Sequence, residues 1–271
     1  MPAFPTPADL PALGTLTRYP SIPTHLPLEK GRLREDQGDQ FGDHPGPIVL
    51  TEKVDGTNAR ITVPPGEAGD PGRVRYLIGS RSEWLTAAGD LVANPAMGIV
   101  GAVRDIADRL AAKPHPTALL TYYGEVYGGS INGAGKQYAG TGAVGFRLFD
   151  VARCEDYRER LTLPPEELSA WREGGGPAFL TEDELAGTAA RFDLPLTPRL
   201  GEVDGLPGTL ADGLALLEQF VPETRAALDD TAAGSPEGVV ARTRDRRGIT
   251  KLRLADYRKA AGLGKKGGGG R

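Results

Sequence analysis

The chain has 271 residues, which is enough to bury a sizeable core as one large domain or as two small ones. Its composition, with 39% hydrophobic and 25% charged residues, is typical of a soluble globular protein, and the single cysteine, Cys154, excludes an internal disulfide and a cysteine-based zinc site. The formal net charge of −4 argues against indiscriminate binding to nucleic acid.

The N-terminus and the hydropathy of the chain predict no contact with a membrane. The first residues lack the basic flank and apolar core of a secretory signal. No apolar run approaches the ~20 residues that a membrane span needs. We therefore expect a cytoplasmic protein.

The first half of the chain predicts mainly strands. Proline and glycine are frequent up to residue 46, so only a short first strand is expected there, over 17–22. The Asp55-Gly56 step is typical of a two-residue hairpin, which would place Lys53 and Arg60 on paired strands. Further strands are predicted from their apolar runs over 47–53, 57–63, 73–80, 117–128 and 144–152.

Helical patterns dominate later in the chain. Apolar residues at helical spacing predict a helix over 96–112, which Pro114 ends. A helical segment is expected over about 155–230, packed on the sheets, and the capping box Thr181-x-x-Glu184 opens one of its helices. The predicted helices of that segment cover 164–173, 181–192 and 209–221, and strands over 236–243 and 248–254 and a helix over 254–262 follow them.

Basic residues are concentrated between Arg242 and Lys259. This stretch has eight of them against Asp245 and Asp256, so it carries +6 and leaves −10 for the rest of the chain. Such a patch indicates either a local polyanion site or a solvated basic hairpin.

Six short motifs follow one another, each on or at the end of a predicted strand. They are KVDG at Lys53, SR at Arg81, YYGEVYGG around Glu125, FRLFD from Phe146 to Asp150, EGVVAR at Glu237 and ITKLR from Lys251 to Arg253. Together they resemble the ordered motifs of the covalent nucleotidyltransferases, which are the ATP-dependent DNA and RNA ligases and the messenger-RNA capping enzymes. GEVYGGSINGAGKQY followed by FRLFDV looks most like the nick-sealing RNA ligases. The resemblance spans roughly residues 15 to 260.

The residue types suit attack by a lysine on the α-phosphate of ATP. A free lysine has a pKa near ~10.4 and is protonated at neutral pH. Partial burial and neighbouring cations favour the neutral amine, and Lys251, Arg253 and Arg81 are the candidate cations. They would also neutralise charge on the phosphate, and a divalent metal, Mg²⁺ or Mn²⁺, suits the triphosphate.

The resemblance implies a role for each nucleotide-binding residue. Lys53 would become covalently adenylylated. Glu52 would read the adenine edge, and Arg81 would contact the ribose or a phosphate. Glu125 would bind the ribose hydroxyl, and Phe146 would stack on the base.

It also implies the residues that handle the metal, the phosphates and the nucleic acid. Glu237 would serve the metal, while Lys251 and Arg253 would hold the α-phosphate. Asn58 and Arg60 would contact nucleic-acid phosphates.

Three of these residues have structural alternatives. Only one of Phe146 and Phe149 can face the base, and Phe146 is preferred. Glu52 could be a solvated neighbour of Lys53, and Arg60 could pair with an acidic residue at the surface.

The chain departs from the family pattern in three ways. Arg253 stands where a second lysine is usual, and its planar fork differs from a point charge. Asp55 stands where nick-sealing RNA ligases often have histidine, which weakens a preference for RNA over DNA. Only about ten residues of predicted structure follow the last motif, so we expect neither an added oligonucleotide-binding barrel nor a helical C-terminal domain.

The resemblance implies an α+β fold, with two antiparallel β-sheets packed around a nucleotide cleft and helices outside. Residues 1–260 would form the nucleotidyltransferase domain and 261–271 a flexible tail. The predicted function is an ATP-dependent RNA ligase of RNA repair, which self-adenylylates on Lys53, transfers AMP to a 5′-phosphate end and joins that end to a 3′-hydroxyl.

Several alternatives stay open. The enzyme alternatives are a minimal DNA ligase and a capping guanylyltransferase, and the alternative of another class is a non-catalytic protein that binds nucleic-acid ends. The expected partners are RNA ends or nicks, with DNA as the alternative substrate. A homodimer or an accessory subunit would supply a clamp.

Overall fold

The computed structural model describes residues 4–30, 32–35, 41, 44, 46–67, 74–87, 90–91, 98–232 and 234–263. Most of the predicted tail, from residue 264 onward, lies outside these described residues. Within them, no helix is both long and apolar enough to cross a membrane.

Among the described residues, seven strands follow the first helix, and strands and helices are mixed from residue 99 onward. The strands are β1 (Leu28–Glu29), β2 (Arg32–Leu33), β3 (Ile48–Lys53), β4 (Thr57–Val63), β5 (Leu77–Gly79), β6 (Trp84–Ala87), β7 (Asp90–Leu91), β8 (Leu119–Gly128), β9 (Val144–Cys154), β10 (Ala178–Phe179), β11 (Arg199–Val203), β12 (Gly238–Thr243) and β13 (Ile249–Arg253). The helices are α1 (Leu10–Leu16), α2 (Ile99–Ala111), α3 (Gly135–Tyr138), α4 (Tyr157–Arg160), α5 (Pro165–Glu173), α6 (Glu182–Phe192), α7 (Leu210–Phe220) and α8 (Leu254–Ala260). A 3₁₀ turn at Pro7–Asp9 directly precedes α1.

Two antiparallel sheets form the body of the protein, as the sequence predicts. The smaller sheet has the order β11-β3-β12-β13, and the larger has the order β10-β9-β8-β4-β5-β6-β7. β1 and β2 form a separate hairpin. Segments with short apolar runs form strands here, because each sheet buries at least one face and the apolar side chains of its strands fill that face.

The smaller sheet buries its outer face under helices. Leu50 of β3, Val239 of β12 and Leu252 of β13 are all fully buried, together with Leu217 of α7 and Tyr257 of α8. Since side chains alternate along a strand, the neighbours of these residues point to the other face. That second face carries Thr51, Lys53 and Lys251 toward the larger sheet.

The larger sheet is covered on its outer face by α2 and α6. Ile61, Tyr122 and Val126 are buried there with Val103 of α2 and Leu185 of α6. The predicted capping box is confirmed, since the Thr181 hydroxyl accepts from the Glu184 amide at 3.3 Å and the Glu184 carboxylate accepts from the Thr181 amide at 2.9 Å.

The predicted hairpin across Asp55-Gly56 is wrong. β3 pairs with β11 and β12, whereas β4 pairs with β5 and β8. Gly56 carries the chain from one sheet to the other and packs so closely that a Cβ there would overlap the Val126 carbonyl. An Asp-Gly step marks a tight change of direction, but strand partners depend on which faces can be buried.

Two further predictions need correction. Residues 17–22 form no strand. This stretch runs from the end of α1 toward β13, and an isolated bridge from Thr24 to Lys251 lies just beyond it. The segment 155–230 contains the three expected helices but also β10 and β11, which add one strand to each sheet. It is therefore part of both sheets as well as a helical cover.

Candidate active site

A cavity of about 320 Å³ lies between the two sheets. The smaller sheet contributes Lys53 and Lys251, the larger sheet contributes Glu125, and the N-terminal segment contributes Tyr19. Of the predicted site residues, those that line the cavity are Glu52, Lys53, Asn58, Arg81, Glu125 and Lys251.

Lys53 is the last residue of β3, and its side chain forms an ion pair with Glu237. The backbone holds these two residues together, because the Glu237 amide donates to the Lys53 carbonyl at 3.2 Å and Gly238 is the register partner of Lys53. The side chains of both residues remain partly exposed, at 23% and 27%. A reactant that enters the cavity can therefore reach the amine.

Two more carboxylates lie close to this ion pair. Burial raises the pKa of Glu125 to about 8, although the Lys53 ammonium lowers it, and Glu237 raises it further. The pKa of Asp55 is also raised, first by burial and then by Glu237. Asp55 is held by the amide of Asn132, whose Nδ2 donates to its carboxylate at 3.0 Å.

These carboxylates form a suitable donor set for a hard divalent cation. Among the described residues, no group of three acidic, histidine or cysteine side chains has the arrangement of a preformed metal site. Glu237 nevertheless raises the pKa of both Asp55 and Glu125, and Asp55 raises that of Glu125 as well, so the three carboxyl groups lie close together. Carboxylate oxygens completed by phosphate oxygens are the ligands that Mg²⁺ prefers.

Lys251 provides the second cation of the cavity. It lies on β13 opposite Val240, which in turn is paired with Thr51. Burial lowers the pKa of Lys251, and Lys53 and Arg253 lower it further. The ammonium groups of Lys53 and Lys251 thus act on the same space, where a phosphate would relieve the repulsion.

Of the two phenylalanines considered for the base, Phe149 lines the cavity, and the prediction of Phe146 is wrong. Phe146 is buried in the core beneath α2 and α6, on the outer face of the larger sheet. The reason is a bulge in β9, where Tyr123 pairs with Asp150 and Gly124 with Leu148, so that Phe149 has no partner. A bulge redirects the side chain and reverses the alternation beyond it.

Glu52 lines the cavity but also anchors the neighbouring loop. Its carboxylate accepts from the Thr224 hydroxyl at 2.5 Å and from the Arg225 amide at 2.7 Å. Burial raises its pKa despite these hydrogen bonds. Glu52 is therefore not a solvated neighbour of Lys53, and its predicted contact with adenine stays a prediction.

Arg81 and Asn58 line the cavity, and their predicted contacts with nucleotide and nucleic acid stay predictions. Arg81 is exposed beside the cavity, with Nη2 at 3.4 Å from the Ser21 hydroxyl. Asn58 is the register partner of Glu125, and its buried Oδ1 has no hydrogen-bond partner among the described residues.

Arg60 and Arg253 do not reach the cavity. Arg60 is fully buried beneath α1, where it donates to the Gly14 carbonyl at 2.7 Å and stacks on Trp84 with its guanidinium carbon 4.1 Å from the ring centre. It cannot contact nucleic acid, nor does it pair at the surface. Arg253 turns away to Asp256, which it contacts at 2.7 Å and 3.1 Å.

The basic stretch 242–259 is largely neutralised within the chain. Arg246 pairs with the buried Asp150, and Arg244 pairs with both Asp183 and Glu202. Five of the eight basic residues form such ion pairs, namely Arg242, Arg244, Arg246, Arg247 and Arg253. Among the described residues, Lys251, Arg258 and Lys259 are the members of the stretch without such an ion pair, and Lys251 lines the cavity.

The sequence prediction missed several residues that line the cavity. Thr51 could have been found from strand alternation with Lys53, since both belong to β3. Arg242 could have been found likewise from its alternation with Val240 on β12, but no local signal identifies Tyr19, which reaches the cavity only through the packing of a distant segment.

A family model for RNA ligases matches residues 46–255 of the chain. A search of curated protein sequences found no match to this chain. The fold is similar to that of the RNA ligase from Naegleria gruberi. Superposition on a point mutant of that ligase, solved with ATP and Mn, gives a TM-score of 0.57 at 14% sequence identity. The match covers 90% of this chain and 58% of that chain. An apo point mutant gives a TM-score of 0.55 at 15% identity and covers 92% of this chain and 57% of that chain. The ligase with pyrophosphate gives a TM-score of 0.54 at 15% identity and covers 90% of this chain and 58% of that chain. The chain thus spans less than three fifths of the length of those ligases.

Proposed function

The chain belongs to the RNA ligase family, and from that premise we propose that it is an ATP-dependent RNA ligase with Lys53 as its nucleophile. The observation that supports this most directly is the position of Lys53, which faces a cavity between two sheets beside Glu237, Glu125 and Lys251. A lysine at the floor of such a cavity can be reached by a phosphate and is surrounded by the charges that phosphate chemistry uses.

The first step forms a bond between Nζ of Lys53 and the α-phosphorus of ATP and breaks the bond to pyrophosphate. Lys53 must leave its ion pair with Glu237 and lose a proton before it attacks. Lys251 would stabilise the charge that develops on the α-phosphate. Glu237 would hold Mg²⁺ or Mn²⁺ together with the neighbouring carboxylates and the phosphates. The bound cation would neutralise charge on the triphosphate.

The base and the ribose would be held by other parts of the cavity. Phe149 and Val240 are apolar residues from opposite sheets, and both line the cavity, so we assign them to the two faces of the base. Glu125 would accept a hydrogen bond from a ribose hydroxyl. Arg81 would contact the ribose or a phosphate.

Two further transfers complete the reaction. The AMP group passes from Lys53 to the 5′-phosphate of a nucleic-acid strand, which frees the amine. A 3′-hydroxyl then attacks this activated phosphate, forms the phosphodiester bond and releases AMP. Repair of broken RNA in the cytoplasm, with a clamp from a second copy or an accessory subunit, stays a prediction.

A direct test is to incubate the protein with ATP and a divalent metal and to locate AMP on Lys53 by peptide mapping. Parallel incubation with GTP tests the capping-enzyme alternative, and nicks with matched RNA, DNA and mixed strands separate RNA joining from DNA joining. Labelling of Lys53 with AMP and sealing of RNA would support the proposal. Binding of ends without labelling would support the non-catalytic alternative.

A further inference from the structure

The N-terminal strap, which we define as residues 17–25, connects the two sheets beside the cavity. Toward the larger sheet, the Tyr123 hydroxyl donates to the Thr17 carbonyl at 2.9 Å. Toward the smaller sheet, the Lys251 amide donates to the Pro23 carbonyl at 3.0 Å, and the His25 amide donates to the Lys251 carbonyl at 2.9 Å. The strap is therefore tied to the backbone of a residue whose side chain faces the cavity.

The strap also forms a wall of the cavity. Tyr19, Pro20 and Ile22 line it together with Phe149 and Ile249, and these residues supply much of its apolar lining. The polar lining comes from other residues, among them Lys53, Asn58, Arg81, Glu125 and Lys251. An apolar wall suits a nucleobase and not a phosphate chain. The strap lies outside the residues that match the family model, 46–255.

A buried network holds Tyr19 in this wall. Its hydroxyl donates to Oδ2 of Asp150 at 2.8 Å, and Arg246 donates to the same oxygen from Nε at 2.7 Å and from Nη2 at 2.5 Å. Arg246 also donates to the Tyr19 hydroxyl at 2.8 Å. Asp150 is fully buried, so these bonds are shielded from water and specify one geometry.

The same network fixes Phe149, which directly precedes Asp150. The ring of Tyr19 meets the ring of Phe149 edge to face, with centres 5.0 Å apart. The Phe149 carbonyl accepts from Nη1 of Arg242 at 2.7 Å. Because Phe149 is the unpaired residue of a bulge, its orientation depends on these contacts and not on ladder hydrogen bonds.

We propose that Tyr19 is a positioning residue for the nucleotide base, acting through its hydroxyl in the Asp150–Arg246 network, and that the strap is the wall against which the base packs. This inference rests on the proposed nucleotide-binding function of the cavity. It predicts selective effects on ligands that contain the base.

The test compares AMP and pyrophosphate binding in Tyr19→Phe, which removes only the hydroxyl. Loss of a hydrogen bond to a charged group should weaken AMP binding by about tenfold, while pyrophosphate binding should be unchanged. In Lys53 labelling, the KM for ATP should rise and kcat should change little. Ile22→Ala, which truncates the wall at a partly exposed residue, should show the same selectivity.

Tyr257→Phe is the matched control, because its buried hydroxyl has no hydrogen-bond partner among the described residues and lies in the helical cover of the smaller sheet. It should bind both ligands as the wild type does. If Tyr19→Phe and Ile22→Ala keep wild-type AMP affinity, or if AMP and pyrophosphate weaken equally, the inference is overturned. If the wild type itself binds no AMP and is not labelled by ATP, the proposed function fails as well, which is a distinguishable result.

Discussion

Lys53 is the last residue of β3, and its side chain lies on the same face of the strand as that of Thr51, toward the cavity. The carboxylate of the intervening Glu52 contacts the loop at Thr224. The proposed attack by Lys53 on ATP requires an amine that can be deprotonated. We expect Lys53→Ala and Lys53→Arg to abolish labelling by ATP, the second because a guanidinium stays protonated. Mass spectrometry of the labelled protein measures this, with thermal unfolding as the check on folding.

Lys259→Ala is the control for that pair of variants. Lys259 lies on α8 and is exposed, and it is not among the residues that line the cavity. Its loss should leave labelling unchanged. Persistent labelling of Lys53→Ala would mean that another residue is the nucleophile.

Glu237 and Lys251 should each be needed for adenylylation. Removal of one strong electrostatic contact at a reacting phosphate costs roughly 10²-fold or more in rate, so Glu237→Ala and Lys251→Ala should fall in that range. Arg253→Ala should cost much less, because Arg253 is held by Asp256 outside the cavity. Single-turnover labelling rates distinguish these outcomes, and a severe loss in Arg253→Ala alone would reverse our placement of the two cations.

The raised pKa of Glu125 has a consequence for stability. Its pKa in the folded protein is about 8, against an ordinary value of 4.5, so the folded state binds this proton more tightly than the unfolded state. The contribution is fully present below about 4.5 and is lost as the pH rises to about 8. Glu125→Gln should therefore reduce the fall in melting temperature across this window, as measured without nucleotide or metal. An unchanged pH profile would contradict the assignment.

The strands are positioned by close packing at glycines. Gly124 of β8 lies under the ring of Phe146, and a Cβ at this position would overlap the ring. Gly124→Ala should destabilise the protein by about 1–3 kcal/mol through overpacking. It should also disturb the adjacent Glu125.

Gly101→Ala is the matched control in α2, where a Cβ would meet nothing within 4 Å. A glycine-to-alanine change inside a helix should stabilise by about 0.5–1 kcal/mol. Chemical denaturation of both variants tests the pair. Equal effects of the two substitutions would show that the packing at Phe146 is not limiting.

At the scale of the whole molecule, the basic stretch 242–259 is largely engaged within the chain itself and offers little free positive charge to nucleic acid. The net charge of the chain is −4, and five basic residues of the stretch 242–259 are engaged by acidic side chains of the chain itself. Affinity for a duplex depends mainly on phosphate contacts that salt weakens. Lys53 labelling should therefore tolerate salt, whereas end joining should be weak and should fall steeply with added salt.

A comparison of labelling and sealing over a series of KCl concentrations tests this, with a strand that already carries AMP as a further substrate. Sealing of that strand should be less impaired than the complete reaction. Arg244→Gln should leave RNA binding nearly unchanged, since Arg244 is committed to Asp183 and Glu202. Tight binding of a nick by the wild type at physiological salt would refute the expectation.

The sequence by itself determined the family and the α+β class, and its short motifs singled out Lys53 and Glu125, which both line the cavity. These features depend on residue type and order, which can be read from the sequence without knowledge of packing. Most strands and helices were also predictable, because apolar periodicity and caps such as Thr181-x-x-Glu184 are local.

The tertiary structure alone decided which side chains reach the cavity. The bulge at Phe149 brings this residue, and not the predicted Phe146, to the cavity, and α1 covers Arg60. Tyr19 lies 131 positions from its partner Asp150. Contacts of this kind follow from which faces the sheets bury, and burial is a property of the assembled chain that no local pattern encodes.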